Sequence, residues 1–326
     1  QLWVRPTTSC ALTTTGRARC WGSNFFGQLG DGTTSNASVP VGVVGPDGSG
    51  ELSGIRQLTV GAFHTCAVMT NGRVTCWGAN FSGQLGDGST TNRPVPVTVA
   101  GLDGGAELLG VIDAVGGGFH TCARTTPGQV RCWGSNFFGQ LGDGTTDDAR
   151  TPVRVRDDSG AEVAGIEQFS AGEFHVCGTQ TDGPLRCWGG NFFGQLGDQS
   201  ITDRPHPVAV QAVGGGGLLT GAVQVTAGGN HSCALLSDDR VTCWGGNGTG
   251  QLGDGTVIGR TTPTLVAGID GIGDLGAVAH VTAGAHHTCV IHTDTRLTCW
   301  GDNGAGQLGD GTTVGVTMPI RVATDH

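Results

Sequence analysis

Twelve Cys side chains stand in six pairs, each separated by ten positions: Cys10/Cys20, Cys66/Cys76, Cys122/Cys132, Cys177/Cys187, Cys233/Cys243 and Cys289/Cys299. Thiols at a repeated spacing can join as disulfides, exchange electrons or bind a soft metal. Redox centres favour a CxxC motif with one low-pKa thiol, which six identical pairs do not resemble. A metal reading would recruit the His two residues before the first Cys of five pairs: His64, His120, His175, His231 and His287. His-x-Cys with the second Cys offers three ligands and no fourth, and would demand about five separate zinc ions. An even count with one internal spacing reads instead as a disulfide framework, which implies an oxidising compartment. No metal site is expected at these residues.

The other recurring polar residues point to loops. Asp31, Asp87, Asp143, Asp198, Asp254 and Asp310 each follow Gly-Gln-Leu-Gly. Calcium needs several oxygens converging on one point, and one Asp per unit does not announce that, so these read as turn residues. The residues alone leave open whether calcium enters the Gly-Asp-Gly loops. Asn24, Asn80, Asn136, Asn191, Asn247 and Asn303, with Gln four residues on, read as amides satisfying loop backbone. There is no GxSxG or GxxxxGK[ST], and Tyr and Lys are absent as acids, bases or nucleophiles. Near-identical units leave little unique chemistry at any position, so neither an enzyme nor a cofactor is expected.

What varies between units is aromatic. Phe25-Phe26, Phe81-Ser82, Phe137-Phe138 and Phe192-Phe193 follow the Asn in the first four units, whereas Gly248-Thr249 and Gly304-Ala305 stand there in the last two. If one Phe of each pair packs between units, the other is exposed, and a crescent of aromatics results. Aromatics are the anchors that interfaces favour. Phe25, Phe26, Phe81, Phe137, Phe138, Phe192 and Phe193 are therefore the candidate partner-binding residues; the plainer reading is core filler in a Gly-rich fold.

The elements that must position these residues are strands. Residues 55–60 and 65–69 read as two strands joined by the turn Gly61-Ala62-Phe63-His64, and Asn71-Gly72 turns into a third, Arg73 to Trp77. With Gly72 in the left-handed position, a three-residue loop pairs Met69 with Arg73 and sets Cys66 opposite Cys76. Asp239 and Thr295 replace that Gly in the last two units, and β-branched Thr predicts a different final turn. Val74 and Cys76 alternate with Arg73 and Thr75, the pattern of a half-buried strand. Pro94 to Val99 forms a fourth segment, and Asp103-Gly104-Gly105 turns before the next unit begins at Val111. Helical periodicity is absent, so the fold class is all-β.

The second Cys recurs at intervals of 56, 56, 55, 56 and 56 residues, which makes six units of about that length. Gly is 62 of 326 residues and charged residues only 13%, the composition of many tight turns between short strands. Four-stranded units of this length suit the blades of a β-propeller: one domain, residues 1–326, with six blades, or seven if the chain is incomplete. Gln1-Leu2-Trp3-Val4 aligns with Gln57-Leu58-Thr59-Val60, so the chain begins partway through a unit, without Met or signal peptide, as expected if its start was removed. Pro319-Ile320-Arg321-Val322 is expected to supply what the first unit lacks, closing the ring by pairing N- and C-terminal strands.

The recurring Gly-x-x-His, hairpin, Trp-Gly, Asn and Gly-Gln-Leu-Gly resemble the RCC1 (regulator of chromosome condensation) repeat over nearly the whole chain. The resemblance implies the propeller fold and little about activity. Best-known members are seven-bladed: a chromatin-bound exchange factor for the small GTPase Ran, and a secreted bacterial inhibitor of β-lactamases. The exchange factor lacks this Cys framework and meets its GTPase through an inserted wedge, for which the rhythm here leaves no room. The His of the repeat resembles a buried residue that ties strands together.

The formal net charge is −10 and all 17 basic residues are Arg. The densest group, Arg150, Arg154 and Arg156, is offset by Asp147, Asp148, Asp157 and Asp158, so nucleic acid is not an expected partner. No apolar run approaches the ~18 residues of a membrane span. The expectation is a non-catalytic bacterial propeller, secreted and extracellular, at the cell surface or periplasmic. It would bind protein partners or self-assemble as a structural or adhesive scaffold. A secreted enzyme inhibitor is the alternative, and a guanine nucleotide exchange factor is a third, opposed by the Cys pattern.

Overall fold

The turn at Asn71-Gly72 sets the register of its hairpin. Gly72 adopts φ +77°, the Met69 N–H donates to the Arg73 carbonyl at 2.9 Å, and Cys66 comes to lie opposite Cys76. The same pairing bonds Cys10 to Cys20, Cys66 to Cys76, Cys122 to Cys132, Cys177 to Cys187, Cys233 to Cys243 and Cys289 to Cys299. Their Cα atoms are 4.0–4.1 Å apart, the short spacing of a non-hydrogen-bonded antiparallel pair. The expectation of a different final turn is corrected. Thr295 takes the left-handed conformation at φ +70°, and the His292 N–H donates to the Arg296 carbonyl at 2.9 Å, as Met69 does to Arg73. The ladder and the disulfide above it impose the turn on an unfavourable residue. The fourth hairpin departs from this pattern, with its positive φ at Asp182 instead of Gly183.

The computed structural model describes residues 2–4 and 8–323. The fold is an all-β, six-bladed propeller of four-stranded antiparallel sheets, without α-helix among the described residues. By contact the chain forms two compact units, Gln1–Gly165 and Ile166–His326, with three blades each. In the first unit, blade one is β1 (Leu2–Val4), β2 (Thr8–Leu12), β3 (Ala18–Gly22) and β4 (Ala37–Gly42). Blade two is β5 (Ile55–Val60), β6 (His64–Met69), β7 (Val74–Gly78) and β8 (Arg93–Thr98). Blade three is β9 (Val111–Gly116), β10 (His120–Thr125), β11 (Gln129–Gly134) and β12 (Ala149–Arg154).

In the second unit, blade four is β13 (Ile166–Ala171), β14 (His175–Gln180), β15 (Arg186–Gly189) and β16 (Arg204–Ala209). Blade five is β17 (Ala222–Ala227), β18 (His231–Leu236), β19 (Val241–Gly245) and β20 (Arg260–Leu265). Blade six is β21 (Val278–Ala283), β22 (His287–His292), β23 (Leu297–Gly301) and β24 (Val316–Arg321). Among the described residues the expected pairing of N- and C-terminal strands is not found. β1 pairs with β2 through Trp3 and Cys10, whereas β24 pairs with β23 through Ile320 and Cys299. The first blade lacks no strand, so nothing is left for the C-terminal segment to complete; Gln1 lies outside the described residues.

The hydrophobic core sits between blades. One face of each blade carries the disulfide and the other carries the Trp of the same third strand. Cys66, Val68, Val74 and Cys76 of blade two pack in one cluster with Ala123 and Trp133 of blade three, and equivalent clusters join blades one to two, four to five and five to six. β7 is consequently buried on both faces, including Thr75, which corrects the half-buried reading. Period-two alternation marks two faces, but both are covered when a sheet has a neighbour on each side.

Polar groups complete each joint. Trp77 Nε1 donates to the Gln28 carbonyl at 3.0 Å, Trp133 to Gln84 at 2.9 Å, Trp244 to Gln195 at 2.8 Å and Trp300 to Gln251 at 2.9 Å. The second Gly of Gly-Gln-Leu-Gly makes room for the ring. At Gly30, with φ +70°, an added Cβ would lie 2.6 Å from Trp77 Nε1. Along the first strands, Gln57 acts as a strand partner for its neighbour: Nε2 donates to the Ala114 carbonyl at 3.2 Å, and Oε1 accepts the Ala114 N–H at 3.1 Å. Gln168 with Val225 and Gln224 with Val281 repeat the arrangement.

Candidate functional site

The loop after each third strand is held by side chains instead of regular structure. In blade two, Asn80 Oδ1 accepts the Leu85 N–H at 2.9 Å, while Nδ2 donates to Asp87 Oδ1 at 3.1 Å and to the Ser89 carbonyl at 3.1 Å. Gln84 Oε1 accepts the Ser82 N–H at 3.0 Å. Asp87 also takes the Ser89 N–H and hydroxyl on Oδ1, and Arg93 Nε and Nη2 on Oδ2. Partial burial pushes the Asp87 carboxyl up, but these hydrogen bonds outweigh it and hold the group below its ordinary range. All six Asp residues accept the Asn amide of their own loop. Each carboxylate is thus engaged as an Asx-type acceptor, as the sequence reading expects of a turn residue.

The same skeleton turns the residue after Asn outward. Phe25, Phe137 and Phe192 are 70%, 74% and 75% exposed, and Phe81 and Phe193 are also exposed. Phe26 and Phe138 are half-buried. In blades one and three the first Phe is the outward one and the second is half-buried, whereas in blade four both are exposed; Phe137 and Phe138 meet edge to face at 4.9 Å between centroids, Phe192 and Phe193 at 5.1 Å. In the first unit the rings connect across blades. Phe26 contacts Phe81 at 5.0 Å and Phe63 at 5.6 Å, both edge to face, and Phe63 contacts Phe119 at 5.7 Å.

Sequence reasoning missed Phe63, Phe119 and Phe174. Each precedes the repeat His, in the turn between first and second strands, and antiparallel pairing of His64 with Gly78 brings that turn to the same end as the Phe-bearing loop. The signal was available: an aromatic stands before the His in blades two to four, against Asn230 and His286 in blades five and six. Those last two blades present polar contacts there instead, such as Thr249 Oγ1 donating to the His286 carbonyl at 3.0 Å.

The twelve Cys residues are staples within the blades and form no part of this exposed loop surface. Cys20, Cys76, Cys132, Cys187, Cys243 and Cys299 lie on the third strands β3, β7, β11, β15, β19 and β23, and all six are buried. Their partners Cys10, Cys66, Cys122, Cys177 and Cys233 on the second strands are fully buried as well, whereas Cys289 is half-buried. No free Cys is present among the described residues, so no thiol stands ready for metal or redox chemistry.

Three of the repeat His residues bridge one blade to the next. Nε2 pairs with a hydroxyl of the next blade: His64 with Thr121 at 2.8 Å, His175 with Ser232 at 2.9 Å, and His231 with Thr288 at 2.9 Å. Burial pushes His175 down to about 3, and His231, with smaller contributions from neighbouring His residues, likewise to about 3. Both are neutral near pH 7. Among the described residues no three His, Cys, Asp or Glu side chains converge as metal ligands would. No helix of the described chain is long and apolar enough to cross a membrane. Six bonded Cys pairs fit an oxidising, non-cytosolic environment.

The model of the regulator of chromosome condensation (RCC1) repeat matches residues 15–68, 71–124, 127–178, 182–235 and 238–291, and a second model of that repeat matches five segments between residues 55 and 307. The chain is 31% identical over 301 residues to the ultraviolet-B receptor UVR8 of Arabidopsis thaliana, covering 92% of this chain and 64% of the receptor. It is 30% identical over 315 residues to the human E3 ubiquitin-protein ligase HERC2, covering 96% of this chain and 6% of the ligase. It therefore spans less than two thirds of each of these relatives. Human WBSCR16 superposes with a TM-score of 0.82 at 21% identity, covering 99% of this chain and 82% of that one. Yeast RCC1 (Prp20), solved with Kap60 bound, gives 0.78 at 21% identity, covering 99% and 74%. Repeat rhythm, four-stranded blades and matching residues agree: the chain belongs to the RCC1 repeat family.

Proposed function

We propose that residues 1–326 act as a non-catalytic protein-binding module, exported to an extracellular, cell-surface or periplasmic setting, with the Phe-bearing loops as docking surface. The observation that carries this reading is the run Phe81, Phe26, Phe63 and Phe119, flanked by the outward rings of Phe25 and Phe137. Exposed aromatics held by a rigid loop lose little entropy on binding, and large rings are the usual anchors of protein interfaces. The shared fold is consistent with the choice, since yeast RCC1, which has this fold, was solved with a protein, Kap60, bound to it. The uniform polar skeleton of the loops, with every Asp engaged internally, supports recognition over catalysis.

The test replaces Phe25, Phe137 and Phe192 together with Ser, at positions where the side chain faces solvent and the fold does not need it. Cross-linking with the native partner set is compared for wild type and variant at equal disulfide content. Selective loss of cross-linked proteins is expected. An unchanged set with the fold intact overturns the assignment of these loops.

A further inference from the structure

Blade two lacks a ring that the other two blades of its unit carry. The second residue after the loop Asn is Phe26 in blade one and Phe138 in blade three, but Ser82 in blade two. The backbone at this place is held in the same way in all three. The N–H groups of Phe26, Ser82 and Phe138 donate to Oε1 of Gln28, Gln84 and Gln140 at 3.0, 3.0 and 2.9 Å. Each side chain therefore leaves an equivalent loop at an equivalent point, and that of Ser82 ends one atom beyond its Cβ.

Blade one shows what a ring does there. Phe26 meets two rings of blade two edge to face, Phe81 at 5.0 Å and Phe63 at 5.6 Å. One blade on, the corresponding rings are Phe137 and Phe119, and no ring stands at Ser82 to meet them. Among the described residues Phe119 has a ring contact only with Phe63, and Phe137 only with Phe138 of its own loop. Exposure follows the difference: Phe81, which Phe26 contacts, is 53% exposed, and Phe137 is 74% exposed. All of these residues belong to the first compact unit.

We infer that Ser82, Phe119 and Phe137 bound a notch that receives an aromatic side chain, Phe, Tyr or Trp, of a partner polypeptide. This rests on the reading of the Phe-bearing loops as a docking surface and names what they grip. The occupant is a ring because the repeat itself seats one, Phe26, at the equivalent place, on an equivalent loop and against the same two neighbours. A ring has an electron-rich face and an electron-poor edge, so two aromatic walls favour a third ring set edge to face over an aliphatic chain. Aromatic side chains also give large contact area for few frozen torsions. A charged side chain is disfavoured, because none of the three bounding residues carries a charge to pair with it.

Ser82→Phe tests it by building the missing ring from within the chain, at a position where blades one and three already hold Phe. Retention of six disulfides and the far-UV spectrum checks folding. The probe is N-acetyl-L-phenylalaninamide, followed by saturation-transfer NMR against the full chain, with N-acetyl-L-leucinamide as the aliphatic comparison. Wild type is expected to bind the aromatic probe, and the leucine probe about two- to tenfold more weakly, the fold-change of one edge-to-face pair. Ser82→Phe is expected to lose both the probe signal and the cross-linked partners of wild type. If that variant misfolds, Phe137→Ser, at an exposed ring, removes the opposite wall, and loss of the probe is again expected. Probe binding that survives Ser82→Phe, equal binding of the two probes, or no binding to wild type overturns the inference. The two readings fail separately. Partners lost in the triple Phe variant but kept in Ser82→Phe overturn the notch alone. Partners kept in both, with the probe still blocked by Ser82→Phe, overturn the docking surface instead.

Discussion

Trp133 Nε1 and Thr121 Oγ1 both donate to the carbonyl oxygen of Gln84, each at 2.9 Å. One oxygen of one blade thus anchors two strands of the next. Its loop is in turn fixed by Asn80, so loop, hydrogen bond and buried indole stand or fall together. Replacing Trp133 with Phe removes one donor and part of the ring, with an expected loss of about 1–2 kcal/mol; Ala costs about 3–5 kcal/mol. Trp21→Phe, at a half-buried ring without that bond, is expected within about 0.5 kcal/mol of wild type. Urea denaturation of the three variants separates these values.

Acid should loosen the blades before it protonates the carboxylates. His175 and His231 are held at about 3 in the folded chain by burial, against 6.5 for an ordinary His. Between those values the unfolded chain binds more protons than the folded one, so stability is complete above about pH 6.5 and falls as pH drops towards 3. Each group contributes up to about 1.4 kcal/mol per pH unit inside that window. Thermal melts at pH 7.5, 6 and 4.5 should show a progressive fall, and His231→Gln should flatten the slope while lowering stability at pH 7.5.

The Cys289–Cys299 bond should be the first to open. Cys289 is half-buried, whereas both residues of the other five bonds are fully buried. Thiol exchange requires access to the disulfide sulfur. Graded reductant followed by alkylation and peptide mass mapping should label Cys289 and Cys299 well ahead of the other ten.

Thr295→Gly should stabilise the protein. Thr295 sits at φ +70°, a conformation that costs a β-branched residue about 1–2 kcal/mol, partly offset by the greater chain entropy that Gly loses on folding. A net gain of about 0.5–1 kcal/mol is expected in the same urea experiment, and a loss would mean that the Thr side chain makes a contribution of its own.

The period, the strand positions and the Cys pairing are legible because they depend on local rules: turn residues, alternation and the parity of a hairpin. β5 begins at Ile55 and β9 at Val111, where the turn signals place them. What depends on a neighbouring blade is not legible in one unit. Thr75 looks solvent-facing until blade packing covers it, and Gln57 looks like surface until Ala114 is beside it. The candidate site was half visible. The variation of Phe between units pointed to the right loops, but Phe63 and Phe119 reach them only through antiparallel pairing over a turn. Thr295 shows the opposite failure, a sound local preference overruled by the ladder and the disulfide above it.

Each disulfide bridges two strands of one blade and none links one blade to the next. The covalent reinforcement therefore changes how the chain yields under tension. A pulling force applied at the ends would part blades at their joints and stretch the remaining backbone, but the ten-residue segment inside each hairpin stays locked. With a period of 56 residues, each yielding blade would lengthen the chain by roughly 160 Å instead of roughly 200 Å, at ~3.5 Å per extended residue. The staples thus act as stops that cap the extension of a blade and preserve its central hairpin as a template for refolding when the load is released.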